Sequence, residues 1–83
     1  MENIHILGIK VTPDVKDTTQ IQTILTLYGN IIRTRLGLNE ETDAHGNRYG
    51  IILLELAGDA EQFTLLEQRL TAIEGVVVRR MEM

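Results

Sequence analysis

Two short runs of the sequence place apolar residues on both alternating faces of a strand, and they constrain the fold more than any other feature. The first run, residues 3–11, contributes Ile4, Ile6, Leu7, Ile9 and Val11. The second run, residues 49–57, contributes Ile51, Ile52, Leu53, Leu54 and Leu56. Successive side chains of a strand point to opposite sides of the sheet, so each run has apolar side chains on both sides. We therefore predict two central strands that are buried on both faces.

Two segments between the predicted strands have the periodicity of amphipathic helices. The first stripe consists of Ile21, Ile24, Leu25 and Tyr28, and the second of Phe63, Leu66, Leu70 and Ile73. Each stripe is preceded by an acidic residue and a glutamine at the spacing of a capping box. These pairs are Asp17 with Gln20 and Asp59 with Gln62. The spacing predicts one helix beginning near each pair.

Two further segments predict outer strands. Residues 31–38 alternate between apolar side chains and the polar Arg33 and Arg35, as a half-exposed edge strand does. Three consecutive valines after Gly75 open a last strand, which reaches about residue 81. Residues 39–48 are polar and rich in turn-forming residues, so we expect a mobile hairpin connection there.

The order of the elements is therefore β, α, β, β, α, β. This order predicts an α+β, ferredoxin-like βαββαβ fold, in which both helices cover one face of a four-stranded antiparallel sheet. The first and third strands are central in that topology, and they are the two doubly apolar runs. A chain of 83 residues has room for one such domain, so residues 1–83 are expected to form a single unit.

Helices on one face leave the other face of the sheet uncovered. Ile4 and Ile6, together with Ile51 and Leu53, are then exposed, unless the strand presents His5, Leu7 and Ile9 instead. Contiguous exposed apolar side chains usually mark an interface, and copies of the same chain are the common partner. We predict a homo-oligomer, either a dimer or a tetramer.

The charged residues exclude some partners and leave others open. The chain has 12 acidic and 8 basic residues and no cluster of basic ones, which argues against direct nucleic-acid binding. Arg33 and Arg35 are candidates for the oligomer interface, because a guanidinium binds a carboxylate in a bidentate fork. Alternatively they protect an edge strand. No apolar run approaches the ~20 residues of a membrane span, and we expect a cytoplasmic protein with no membrane contact.

The side chains needed for catalysis or metal binding are few. The chain has no cysteine, serine or tryptophan, and no phosphate-binding or dinucleotide glycine motif. Its two histidines, His5 and His45, have no partner at ligand spacing, although His5 could share a site with carboxylates of another copy. The acidic residues 40, 41 and 43 lack the spacing of an EF-hand. We predict a non-enzymatic domain without a cofactor or a metal.

Two parts of the sequence carry a resemblance to a known family. The first is the segment Gly29, Asn30, Ile31, Ile32, Arg33, Thr34, Arg35, Leu36, Gly37 and Leu38, and the second is the closing helix and strand, residues 66–78. Both are similar to small ACT-like domains, in particular to the iron-only hydrogenase system regulators, whose fold resembles the C-terminal domain of the nickel-responsive regulator. The resemblance implies a ferredoxin-like oligomer with a regulatory role. We expect it to act by binding a ligand, such as a small-molecule effector, or a partner at its subunit interfaces. Any transcriptional effect would act through another protein.

The turn after the first strand is where ACT-like domains hold an amino-acid ligand, with a glycine that lets backbone amides approach it. This chain has no glycine between Val11 and Asp17. Thr12 and Asp14 are the polar residues that we predict to contact a ligand there, beside a subunit interface.

Two other functions stay open. One is an adaptor that docks through the uncovered sheet face, and the other is a small isomerase or lyase of the dimeric-barrel type, with its active site on that face.

Overall fold

The computed structural model describes residues 3–83, and for residues 38–40 the description covers the backbone alone. The elements in chain order are β1 (His5–Val11), α1 (Thr19–Leu27), β2 (Ile32–Thr42), β3 (Arg48–Leu56), α2 (Ala60–Thr71) and β4 (Val76–Glu82). A single 3₁₀ turn, Gly29–Ile31, joins α1 to β2. No helix in this part of the chain is long and apolar enough to cross a membrane.

The four strands form one sheet in the order β2, β3, β1, β4, and every neighbouring pair is antiparallel. The doubly apolar runs are the two central strands, β1 and β3, as predicted. Residues Ile4 and Met83 extend the pairing of β1 with β4, since each donates a backbone hydrogen bond to the other at 2.7 and 2.8 Å. This arrangement confirms the predicted ferredoxin-like α+β fold.

The core lies between the sheet and the two helices. Its largest fully buried side chains are Leu7, Ile9, Ile21, Leu25, Leu54, Leu66 and Leu70. Each fully buried leucine or isoleucine contributes about 1.5–3 kcal/mol to the free energy of unfolding. The prediction that the central strands are buried on both faces is wrong for the single chain, because alternate residues such as Ile4 and Leu53 stay exposed.

Both predicted helix starts carry an aspartate that accepts a backbone hydrogen bond. Asp59 is the N-cap of α2, and its Oδ1 accepts from the backbone N–H of Glu61 at 3.0 Å. In α1 the N-cap is Thr18 rather than Asp17. Asp17 nevertheless accepts from the backbone N–H of Thr19 at 3.0 Å. The Thr19 hydroxyl, and then this backbone bond, lower the pKa of Asp17.

The β2–β3 hairpin is longer than predicted. Strand pairing continues to Thr42 and resumes at Arg48, so the connection is a turn of five residues, 43–47, rather than the expected loop over 39–48. Asp43 closes the turn, because its Oδ1 accepts from the backbone N–H groups of His45 at 2.9 Å and Asn47 at 3.0 Å. Backbone pairing and this turn extend the ribbon through a polar sequence that has no apolar alternation.

A bulge near the start of β2 changes which face its side chains occupy. Ile32 pairs with Leu56 and Thr34 with Glu55, so Arg33 is an extra residue without a partner opposite it. The interpretation of Arg33 and Arg35 as one alternating polar face is therefore wrong. Arg35 donates a hydrogen bond to Gln22 Oε1 on the helical side of the sheet.

Candidate functional site

A cleft opens at the end of the sheet where the β1–α1 loop, residues 12–18, faces the β2–β3 hairpin. We call it the loop cleft. Its volume is about 650 Å³. One wall is lined by Val11, Thr12, Pro13, Val15 and Thr18, and the other by Gly46, Asn47, Arg48 and Gly50. The predicted ligand-contacting Thr12 thus lies beside hairpin residues that are distant in sequence.

The β1–α1 loop is held to the turn before β4 by Thr12 and Gly75. The backbone N–H and the hydroxyl of Thr12 both donate to the Gly75 carbonyl, at 3.0 and 2.8 Å. The same hydroxyl accepts from the Asp14 backbone N–H at 3.3 Å. The Thr12 hydroxyl therefore fixes the shape of the loop. It already makes these two hydrogen bonds before any ligand binds.

Gly75 allows this close approach because it has no side chain. Its φ is +91°, a conformation that other residues rarely adopt. A Cβ there would lie 2.6 Å from the Val15 backbone nitrogen and 2.9 Å from Thr12 Oγ1. Gly75 therefore lets the β1–α1 loop, which lines one wall of the loop cleft, pack directly against the turn before β4.

Arg48 is the basic side chain of the loop cleft. The ion pairs among the described side chains are Arg33 with Glu55 and Arg80 with Glu67, so Arg48 is not part of either. A second recess of about 290 Å³ lies beside the cleft and shares Arg48 with it. That recess also includes Asp14, the other predicted ligand contact. Arg48 can therefore meet a negatively charged group in either recess.

The charges around Arg48 have partners of their own. Lys10 Nζ lies 5.3 Å from the centroid of the Tyr49 ring, a cation–π contact. The backbone hydrogen bonds from Asn47 and His45 lower the pKa of Asp43. Asp43 therefore stays ionised at neutral pH and holds the turn that presents Arg48 to the cleft.

The uncovered face of the sheet, which we call the open face, carries the four apolar residues predicted for the interface, whereas the predicted Arg35 lies on the helical side. Its apolar members are Ile4, Ile6, Leu36, Ile51, Leu53, Val77 and Met81. Leu36 and Met81 are about half exposed, at 51% and 50%. Ile4, Ile6, Ile51 and Leu53 share this face as expected, whereas Leu7 and Ile9 are buried under the helices. Such a patch is typical of a protein interface.

A third recess, of about 460 Å³, lies at the opposite end of the sheet from the loop cleft. Arg33 Nη1 and Glu55 Oε2 lie 3.9 Å apart at its edge. The His5 ring packs against Phe63 with 5.0 Å between centroids, and its buried Nδ1 has no hydrogen-bond partner among the described residues. The described residues contain no group of three His, Asp or Glu side chains that could hold a metal.

Arg48 and the role of Gly75 were missed in the sequence. Arg48 belongs to the polar segment after Gly46 and Asn47, and nothing in its local sequence points to Thr12. The two meet only because β1 and β3 are neighbours in the sheet. The one sequence signal that could have indicated Arg48 is the turn-forming pair Gly46–Asn47, which places Arg48 at the start of the following strand.

No protein-family model matches this chain, and no curated protein has a significantly similar sequence. Solved structures do resemble it. The uncharacterized protein TM1266 from Thermotoga maritima superposes with a TM-score of 0.79 at 26% identity, over 99% of both chains. The ACT domain of GTP pyrophosphokinase from Chlorobium tepidum gives a TM-score of 0.62 at 20% identity, over 98% of this chain and 89% of that domain.

A nitrogen regulatory PII-like protein is a further structural neighbour. CPII from Thiomonas intermedia K12, solved with ADP, AMP and bicarbonate bound, gives a TM-score of 0.53 at 18% identity. The similarity covers 99% of this chain and 93% of CPII. These neighbours confirm an ACT-like version of the ferredoxin-like fold.

Proposed function

We propose that this chain is a regulatory domain that senses a small anionic effector in the loop cleft and acts as a homo-oligomer. The observation that carries the proposal is the loop cleft itself, in which Arg48 faces the β1–α1 loop. Its volume of about 650 Å³ falls within the ~300–1,000 Å³ of small-molecule sites. The ACT-like fold supports the proposal, because structural neighbours include an ACT domain and a PII-like protein solved with ADP, AMP and bicarbonate.

Binding in the loop cleft would couple two parts of the chain that are separate in sequence. An anion on Arg48 would draw the hairpin towards the β1–α1 loop, and that loop is bonded to the turn before β4 through Thr12 and Gly75. An effector that prefers one position of these segments shifts the population towards it. The outer strand β4 would then report the bound state to a neighbouring subunit or partner.

The setting of this function follows from the resemblance and from the charge of the chain. We place the domain in the cytoplasm, in the control of an iron-only hydrogenase system, as the similar segments 29–38 and 66–78 imply. The excess of acidic residues supports action through another protein rather than by direct contact with nucleic acid. The absence of cysteine and serine from the sequence supports a binding role rather than catalysis.

The test is a thermal-unfolding titration with ADP, AMP and bicarbonate as separate probes, paired with native mass spectrometry of protein purified without a chelator. A ligand at 100 times its Kd adds about 2.7 kcal/mol to the free energy of unfolding. For a chain of this size that raises Tm on the order of 10 °C. The mass spectrum gives the number of ligands bound per subunit.

The Arg48→Ala variant connects the ligand to the loop cleft. We expect Arg48→Ala to lose most of the Tm shift, because it removes the charge that holds the anion. Arg33→Ala is the matched control, since Arg33 lies at the opposite end of the sheet. If no probe raises Tm, or if Arg48→Ala responds as the control does, the proposed effector site is wrong.

The exposed apolar patch also favours a second candidate function, an adaptor without a small ligand. Leu36 and Met81, each about half exposed, could receive an apolar partner surface. An adaptor shows no bound mass and no ligand-dependent Tm, but forms a stoichiometric complex with a different protein. The same native mass spectra separate the two functions.

A further inference from the structure

The open face carries Lys10 and Glu55 on opposite sides of a centre that includes a residue without a side chain, and Arg79 lies beside that residue on β4. Within the chain, Glu55 Oε2 also lies 3.9 Å from Arg33 Nη1. Gly8 pairs with Leu53 in the middle of the sheet. Lys10 lies two residues from Gly8 along β1, and Glu55 lies two residues from Leu53 along β3. Because Lys10 pairs with Ile51 and Glu55 with Ile6, the two charges lie on opposite sides of the central pair. Each is displaced along the strands by roughly 7 Å.

The fold of the single chain does not require the glycine at position 8. Gly8 is not among the glycines with positive φ. A Cβ there would meet only the Arg79 carbonyl oxygen and Leu53 Cδ2, both at the ordinary contact distance of 3.8 Å. A glycine inside a central strand weakens the strand, and it often marks a place where another backbone approaches closely.

We infer that a second copy of the chain covers the open face, related by a two-fold axis that runs across the strands over the Gly8–Leu53 pair. Such an axis brings each Lys10 opposite Glu55 of the second copy, so the charge contact forms twice. It also brings Gly8 opposite Gly8 of the second copy, where two side chains would collide. The Lys10–Glu55 contacts are therefore complementary across the axis, as a two-fold interface requires. Arg79, which lies beside Gly8, comes near Arg79 of the second copy, and its guanidinium donates to the Val78 carbonyl of its own chain at 2.9 Å.

The strand geometry agrees with this axis. Lys10 and Glu55 lie on adjacent strands that are about 4.8 Å apart. Placing Lys10 of one copy directly over Glu55 of the other therefore requires the strands of the two copies to cross at roughly 40°. Two sheets that pack face to face align their strands at about 30°. The charge contact and the packing preference thus favour nearly the same arrangement. Apolar side chains such as Ile6 and Ile51 would lose their exposure to water in it.

This arrangement deepens the proposed homo-oligomer and rests on that part of the proposed function. It does not depend on the effector, because Arg48 and Thr12 line the loop cleft at the end of the sheet. Binding of a probe and self-association can therefore be measured separately. An effect of Arg48→Ala on the Tm shift says nothing about the open face.

The decisive experiment is charge reversal, with the dissociation constant of the oligomer measured by analytical ultracentrifugation. Lys10→Glu and Glu55→Lys, made separately, place like charges together at both contacts, and each should weaken self-association at least about tenfold. The double variant restores opposite charges and should recover most of the wild-type affinity. Lys16→Glu and Glu74→Lys make the same charge changes at exposed positions outside the open face and should have little effect.

A glycine substitution tests the close approach independently of charge. Gly8→Val should prevent the sheets from meeting and give a folded monomer. The matched control is Gly37→Val, because Gly37 is an exposed strand glycine with nothing within 4 Å of a Cβ. Far-ultraviolet circular dichroism and Tm establish that each variant is folded. If Gly8→Val does not fold, the charge-reversal series decides alone.

The outcomes separate this inference from the proposed function. Recovery in the double charge-reversed variant supports the two-fold arrangement. If the wild-type chain is still monomeric at a concentration on the order of 100 micromolar, both this arrangement and the proposed homo-oligomer are wrong. The effector site is tested separately by the Tm titration. If the wild type is an oligomer but charge reversal weakens it no more than the control substitutions do, the two-fold arrangement is wrong. The proposed homo-oligomer then stands, because another surface holds the subunits together.

Discussion

At the scale of single residues, the positions with the strictest requirements are those where backbone segments meet. Gly75 combines a left-handed backbone with a contact too close for any side chain. Thr12 completes the contact with two hydrogen bonds to the Gly75 carbonyl. Neither residue is a reactive group, yet together they set the position of the loop that lines the candidate effector site.

We predict that Gly75→Ala lowers the free energy of unfolding by about 2–4 kcal/mol, because it adds backbone strain and a collision with the 12–15 segment. Urea unfolding followed by circular dichroism measures the loss. Gly29→Ala is the control, since Gly29 has no positive φ and open space at its Cβ position. Equal stability of the two variants would show that the close contact is not a constraint.

At the scale of secondary-structure elements, the helices and the hairpin depend on single aspartates at their ends. Asp59 satisfies a free backbone N–H of the first turn of α2, and that helix supplies Phe63, Leu66 and Leu70 to the core. Asp43 has the equivalent position in the hairpin turn. Loss of either side chain therefore weakens an element rather than a single contact.

The α2 cap gives a prediction with a defined size. Asp59→Ala should lower the free energy of unfolding by about 1 kcal/mol, the usual cost of losing an N-cap side chain. Asp59→Asn keeps an acceptor oxygen and should retain most of the stability. Chemical denaturation of the pair checks the expectation, and equal losses in both would point to the charge of Asp59 rather than to its hydrogen bond.

The lowered pKa values predict how stability responds to acid. Asp17 and Asp43 have pKa values below their ordinary 3.8 in the folded chain. Asp17 accepts hydrogen bonds from the hydroxyl and then the backbone N–H of Thr19, and Asp43 accepts from the backbone N–H groups of Asn47 and His45. The stability they contribute is fully present above 3.8 and is lost as the pH falls through the lowered values in the folded state. Thermal unfolding measured between about pH 7 and pH 2 should show Tm falling at the acid end.

Asp43→Asn tests the hairpin contribution to this acid response. Its Tm should be lower than that of the wild type at neutral pH. The difference should shrink as the pH falls from the ordinary carboxyl pKa to the lowered pKa of the folded chain, where the wild-type carboxylate is also neutralised. Glu74→Gln is an exposed control with the same charge change. A difference between Asp43→Asn and wild type that stays constant with pH would contradict ionisation as the cause.

At the scale of the whole molecule, the fold followed from apolar patterning while the candidate site did not. The doubly apolar runs identify β1 and β3 as central strands, and the helical stripes end up on the core. The bulge at Arg33 adds one residue without changing the apolar count, so alternation cannot reveal it. Arg48 joins Thr12 only through the pairing of β1 with β3. Local sequence periodicity carries no information on such neighbours.

The pairing of Ile4 with Met83 has a practical consequence for the design of variants. Two mutual backbone hydrogen bonds hold these residues side by side. A short linker could therefore connect Met83 to Ile4, and new ends could be opened in the turn at residues 43–47 without interrupting a helix or the core. In such a circular permutant the β2–β3 hairpin would be cut into two strands with free ends. Comparing its response to the probes with that of the wild type would separate the contribution of the turn to the proposed effector binding from that of the strands.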